Sequence, residues 1–288
     1  MRRASRGAQI GEYMAVESVT ETAMIWGTVS GASMLGMVIS LLLSVSLPIF
    51  LGIFIYKKTK AWVPAFFIGC GIFVGFAMIL EQICHAIVLT VTGDVIRDNI
   101  WLYAIYGGLA AALFEECGRW IAMKFCLKKH LTRENALMYG AGHGGIEAFL
   151  ILGMSSMSNL LTAAMINGGL MEKTMTALEP AQQEVTYHQL SVLWTTPAYQ
   201  FYLAPVERIS AIALQIALSI LVYSAVKTGR KLHLAAAFGL HFTVDFLTVV
   251  CASTIPTWAL ELGLLMVVAV ICVAVYKLAY VSSTEKKA

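Results

Sequence analysis

Charge is scarce in this chain. Only 13% of its 288 residues are Asp, Glu, Lys or Arg, where a soluble domain carries about a quarter. With 59% of residues hydrophobic, that scarcity excludes an ordinary soluble domain and predicts an all-α, polytopic membrane helical bundle. Cysteine is sparse as well. The six cysteines, Cys70, Cys84, Cys117, Cys126, Cys251 and Cys272, all lie in apolar stretches and form no C-x-x-C pair. This spacing reads as buried, inert thiols rather than a redox pair or a zinc ribbon. No repeat, low-complexity tract or soluble domain is present, and no cleavable signal peptide is evident, because residues 1–22 are polar and of mixed charge. The formal charge of +3 sits in short loops, where it reports orientation and gives no footprint for nucleic acid.

Long apolar runs are what the chain has in their place. About 20 apolar residues cross a bilayer, and seven such runs are predicted, at 34–56, 61–91, 99–127, 136–159, 201–226, 233–253 and 257–280. Residues 1–33 form a polar N-terminal segment, 34–280 a single transmembrane domain with its chemistry within 99–253, and 281–288 a tail. Residues 160–200 are the longest stretch outside the spans and read as an outer loop, with room for a short interfacial helix. Basic residues alternate between loops. Lys57, Lys58 and Lys60 follow the first span, Lys124, Lys128, Lys129 and Arg133 surround the end of the third, and Lys227, Arg230 and Lys231 follow the fifth. The even loops offer only Arg97 and Lys173. The excess of positive charge places the odd loops and the C-terminus in the cytoplasm of a multi-pass protein of the cell membrane. Arg2, Arg3 and Arg6 run against that assignment, which allows a later start at Met34.

Three polar groups interrupt the apolar runs: Glu115-Glu116-x-x-Arg119, His143-x-x-x-Glu147 and His241-x-x-x-Asp245. Each spacing puts ionisable groups one helical turn apart on one face. A charge in hydrocarbon costs about 2.5–3.5 kcal/mol on insertion scales, so such residues mark function. At 1.5 Å per residue, Glu115 lies about 18 Å, His143 about 10 Å and His241 about 12 Å from the cytoplasmic ends of their spans. The three sets therefore fall at similar depth and are predicted to meet in one cavity facing the cytoplasm. Glu81, His85, Glu207 and Arg208 compute to the outer half and read as a separate structural cluster. Arg119 neutralises one of the two glutamates, leaving the other as a general base. His143 shares its water, His241 donates to a developing oxyanion, and Asp245 and Glu147 hold the two imidazoles. The glycines of Tyr139-Gly140-Ala141-Gly142-His143-Gly144-Gly145 let helices approach closely.

The order E-E…R, then Y-x-x-x-H, then H-x-x-x-D resembles the CPBP group of glutamate intramembrane proteases, which includes the type II CAAX prenyl endopeptidases and the PrsW-like proteases. The number of spans and the motifs look most like its YhfC branch of intramembrane metalloproteases. The resemblance covers spans three to six. It implies a core like that of the CAAX prenyl proteases, and an endopeptidase acting on a membrane-associated peptide near the cytoplasmic leaflet. Glu115 would activate the water, Glu116 and Arg119 would complete the first motif, and His143 would assist. His241 and Asp245 would occupy the oxyanion-side motif. Two features depart from the prenyl-protease pattern. Only Cys117 and Gly118 separate Glu116 from Arg119, where that pattern has three residues, and Asp245 stands in place of Asn. An ionised Asp cannot donate to an oxyanion, so Asp245 fits an orienting or metal-binding role. Two chemistries stay open. One needs no cofactor; the other uses a single divalent metal such as zinc, held by His143, His241, Glu115 and Asp245. A proton-coupled transporter or channel is the alternative for the same residues, and a non-enzymatic membrane partner retaining the fold is a third.

Overall fold

A computed structural model describes residues 24–281. The expected N-terminal segment before residue 24 and the tail from residue 282 lie outside the described residues. Among the described residues, seven helices are long and apolar enough to cross a membrane: α1 (Gly31–Thr59), α2 (Pro64–Thr92), α3 (Ile100–Cys126), α4 (Arg133–Asn167), α5 (Ala198–Thr228), α6 (Lys231–Ala252) and α7 (Thr257–Ala279). There is no strand among the described residues. The expected spans reappear with their ends moved by a few residues, α4 by more. It continues eight residues past the predicted end at 159, to Asn167. The outer connection is also more ordered than expected, with helices at Leu170–Met175 and Pro180–Thr195.

Local chemistry sets the starts. Ser30 caps α1 by accepting from Ser33 N at 3.0 Å, Asn99 caps α3, and Thr132 caps α4. Each occupies orphan N–H groups of a first turn. Pro48 lies inside α1 without ending it. At the basic end, Asn135 ties two connections together. Its amide accepts from Trp62 N at 2.7 Å and donates to His130 O at 2.6 Å, while the Trp62 ring stacks on His130.

α4 is the centre of the bundle, and its glycines explain why. Added side-chain carbons would strike α2 at Gly142, α5 at Gly140 and Gly144, and Pro48 of α1 at Gly145. Three neighbours thus press against one glycine-rich turn from different sides, as small residues permit in lipid. At Gly142 the obstacle is the Phe66 carbonyl, which is backbone and cannot rotate away. Gly142→Ala is therefore expected to destabilise the fold by about 1–3 kcal/mol, read as a lowered Tm of the detergent-solubilised protein. Gly263→Ala, where nothing lies within 4 Å of the added carbon, is the control that should leave Tm unchanged.

Below the polar residues, towards the basic end, the core is apolar. Ala122, Met123 and Leu127 of α3 and its end, Met138 and Tyr139 of α4, and Leu218 and Val222 of α5 are almost wholly buried.

Candidate functional site: a polar chamber inside the bundle

α3 supplies the first three groups from one face. Arg119 donates to Glu116 Oε1 at 2.7 Å and stands 3.8 Å from Glu115 Oε2. Arg119 is completely buried and Glu116 only 2% exposed, so each needs the other to offset the loss of hydration. The same Glu115 oxygen, Oε2, also meets α4, where His143 Nε2 lies 2.9 Å away. Tyr139 stands one turn before His143, its hydroxyl 3.5 Å from Nδ1. Phe73 of α2 packs edge-on against the same imidazole, fixing its plane.

α6 brings His241 to the same place. Its Nδ1 lies 2.8 Å from Glu116 Oε1 and its Nε2 3.9 Å from Glu115 Oε2. Asp245, expected to hold this imidazole, is 3.5 Å from Nε2. Glu116 is the closer partner because its helix packs directly against α6. Glu147 also departs from its expected role. It receives Arg208 Nη1 at 3.1 Å and Gln215 Nε2 at 2.9 Å, and the partners of His143 are Glu115 and Tyr139.

Two links went unseen in the sequence. Gln215 of α5, 3% exposed, donates to Glu115 Oε2 and Glu147 Oε2, both at 2.9 Å, and accepts from Arg119. One uncharged amide thereby joins the Glu/Arg motif to α4. A glutamine in an apolar run carries no charge to draw attention; the signal was a polar, hydrogen-bonding side chain among residues such as Leu214, Ile216 and Ala217. The second link is Arg208, which pairs with Glu207 and also reaches Glu147. The supposed separate outer cluster is thus continuous with the inner one. Glu81 and His85 form their own pair at 3.2 Å, and His85 Nδ1 lies 2.8 Å from the Tyr106 hydroxyl.

A cavity of about 500 Å³ reaches Glu115, Glu147, Gln215 and His241, while His143, Glu116 and Arg119 lie behind its wall. Glu115, Gln215 and His241 line its inner end. Arg208, His85 and Tyr106 line it further out. The expected opening towards the basic loops is corrected here: the lining runs to Leu89, Tyr103 and Val249, on the opposite side. The cause is the apolar layer of Ala122, Met123, Leu127 and Leu218, which fills the basic end. Depth along α3, by contrast, is close to the expected value. In the 27-residue α3, Glu115 stands about 16 Å from the Cys126 end and about 22 Å from the Ile100 end, near the middle of the span.

Metal-binding geometry also differs in membership from the expected set. Glu115, His143 and Glu147 each offer a ligand atom within 4.8 Å of the others, and all three are buried. His241 and Asp245 are not in this group. Two carboxylates and one imidazole form a donor set of the kind that binds a divalent cation with a position left open. The Gln215 amide, bonded equally to both carboxylates, already holds them convergent.

The model of the YhfC intramembrane metalloprotease family matches residues 43–272. The uncharacterized membrane protein YhfC of Bacillus subtilis (strain 168) is 40% identical over 232 residues, covering 77% of this chain and 83% of its own. No solved structure matches the chain.

Proposed function

Because the chain belongs to the YhfC intramembrane metalloprotease family, we propose that its chamber hydrolyses a peptide bond of a membrane-embedded polypeptide, with Glu115 as the base. One observation carries the reading: a buried carboxylate, 2.9 Å from His143 Nε2, faces a cavity large enough for an extended peptide segment. A water at Glu115 would give up its proton to that carboxylate as its oxygen attacks the scissile carbonyl carbon. The imidazole of His241, on the cavity wall, stands ready to donate to the oxygen on which negative charge develops, while His143 holds the Glu115 carboxylate through Nε2. Breakdown breaks the C–N bond, and the proton held by Glu115 passes to the leaving nitrogen. Arg119 and Gln215 keep Glu115 in place and touch no reacting atom. The bond would be cut near the middle of the bilayer, and with the basic loops in the cytoplasm the chamber opens towards the outer face.

The test is chemical. Purified protein in vesicles is given a library of single-span peptides in water enriched in oxygen-18. Hydrolysis leaves one heavy oxygen in each new carboxyl terminus, read by mass spectrometry. Intact peptides after prolonged incubation would end the peptidase reading.

The group Glu115, His143 and Glu147 favours a second version of the same reaction. These residues fit a divalent cation, which when bound would polarise the carbonyl and activate water. This version predicts about one equivalent of zinc or a similar metal per chain by elemental analysis. Glu147→Ala is then expected to lower metal affinity about 10–100-fold or more, measured by competition with a chromogenic chelator. Metal-free protein that keeps full turnover would leave Glu115 acting alone.

A further inference from the structure

We propose that the groove between α6 and α7 receives an apolar helix of the substrate and delivers its unwound end into the chamber. The inference rests on the peptidase reading and adds the route. The groove holds about 520 Å³ and is lined from Leu240 to Ile255 and from Ala259 to Ile271. No charged side chain lines it. The Thr243 hydroxyl donates to Gly239 O at 2.7 Å, leaving its methyl group for contact. A helix twelve residues long would occupy about 18 Å of this length.

What distinguishes this groove from ordinary lipid-facing surface is its rear wall. Val244, Thr248 and Leu264 line both the groove and the polar chamber. One layer of side chains therefore separates the bilayer from the catalytic groups. α6 is thin in the same sense: its residues on one side reach Glu116, while Leu247 on another is 46% exposed.

The two compartments suit the two states a substrate must adopt. A helix satisfies its own backbone and needs only apolar contact, which the groove offers. A scissile bond must leave the helix, and its freed N–H and C=O groups are tolerated in a membrane only where they meet polar protein groups or water. Gln82, His85, Tyr106 and Arg208 supply such groups in the chamber. A lipid chain would fill the groove without using that second compartment. The structure therefore favours a polypeptide with an apolar span beside its cleavage site.

Photo-crosslinking tests the occupant directly. The intact protein, with p-benzoylphenylalanine replacing Met266 in the groove, is reconstituted with a biotinylated single-span peptide of leucine and alanine. Leu42 on α1, also exposed but outside the groove, is the control position. Strong peptide adducts at Met266 and background at Leu42 are expected. Phospholipid adducts alone at Met266, or equal peptide adducts at both positions, would overturn the proposal. A second variant uses space already present: Gly263 lines the groove with nothing within 4 Å of an added carbon. Gly263→Trp is expected to slow cleavage of single-span peptides about tenfold more than cleavage of short soluble peptides of matching sequence. Equal slowing of both would count against the route. If the unaltered protein cleaves neither peptide, the peptidase reading fails, and the crosslink still decides groove occupancy.

Discussion

Glu115→Gln is expected to abolish peptide hydrolysis while leaving the fold intact, lowering turnover about 10²–10⁴-fold. Glutamine keeps the size of the side chain, and its carbonyl oxygen can still accept from His143 or Gln215, which both lie 2.9 Å from Glu115 Oε2. What it loses is the capacity to take a proton from water. The variant also removes a negative charge from a buried site, so Tm is expected to hold or rise. Turnover and Tm measured on the same preparation separate chemistry from folding. Activity within a factor of ten of the unaltered protein would remove Glu115 from the role of base.

Arg119→Met is expected to be the most destabilising substitution in the chamber, by about 3–5 kcal/mol. The guanidinium is fully buried, donates to Glu116, and donates to Gln215. Methionine fills much of the volume but leaves the Glu116 carboxylate buried with His241 as its remaining close partner. The double variant Arg119→Met/Glu116→Gln removes the stranded charge with its partner, and should recover a large part of the loss. A Tm for the single variant no lower than that of the double would mean that the pair is not the source of the stability.

The seven spans were legible because bilayer thickness imposes one length on every crossing, and hydropathy reports it. The meeting of α3, α4 and α6 was legible for a related reason: ionisable groups are rare in lipid, and similar depth brings them together. Glu115, His143 and His241 were found on that basis. The partners of each were harder. Spacing within one helix assigned Asp245 to His241 and Glu147 to His143, but contacts between helices won. Glu116 takes His241 across the α3–α6 contact, while Arg208 and Gln215 take Glu147 across the α4–α5 contact. Such pairings depend on helix rotation, which a one-dimensional pattern does not carry. Gln215 was missed because polarity without charge stands out little among apolar neighbours. The direction of the cavity was not legible because depth along a span does not say which end of the bundle is filled; the packing of Met123, Leu127 and Leu218 decides that.

That packed floor has a consequence for the host membrane. A hollow full of acids and imidazoles would, if open at both faces, short-circuit the cell's ion gradients. Here the chamber is a blind alley. Water, and the pieces of a substrate cleaved as proposed, would have to leave by the mouth or sideways through the helices, and the floor would keep the voltage across the bilayer intact.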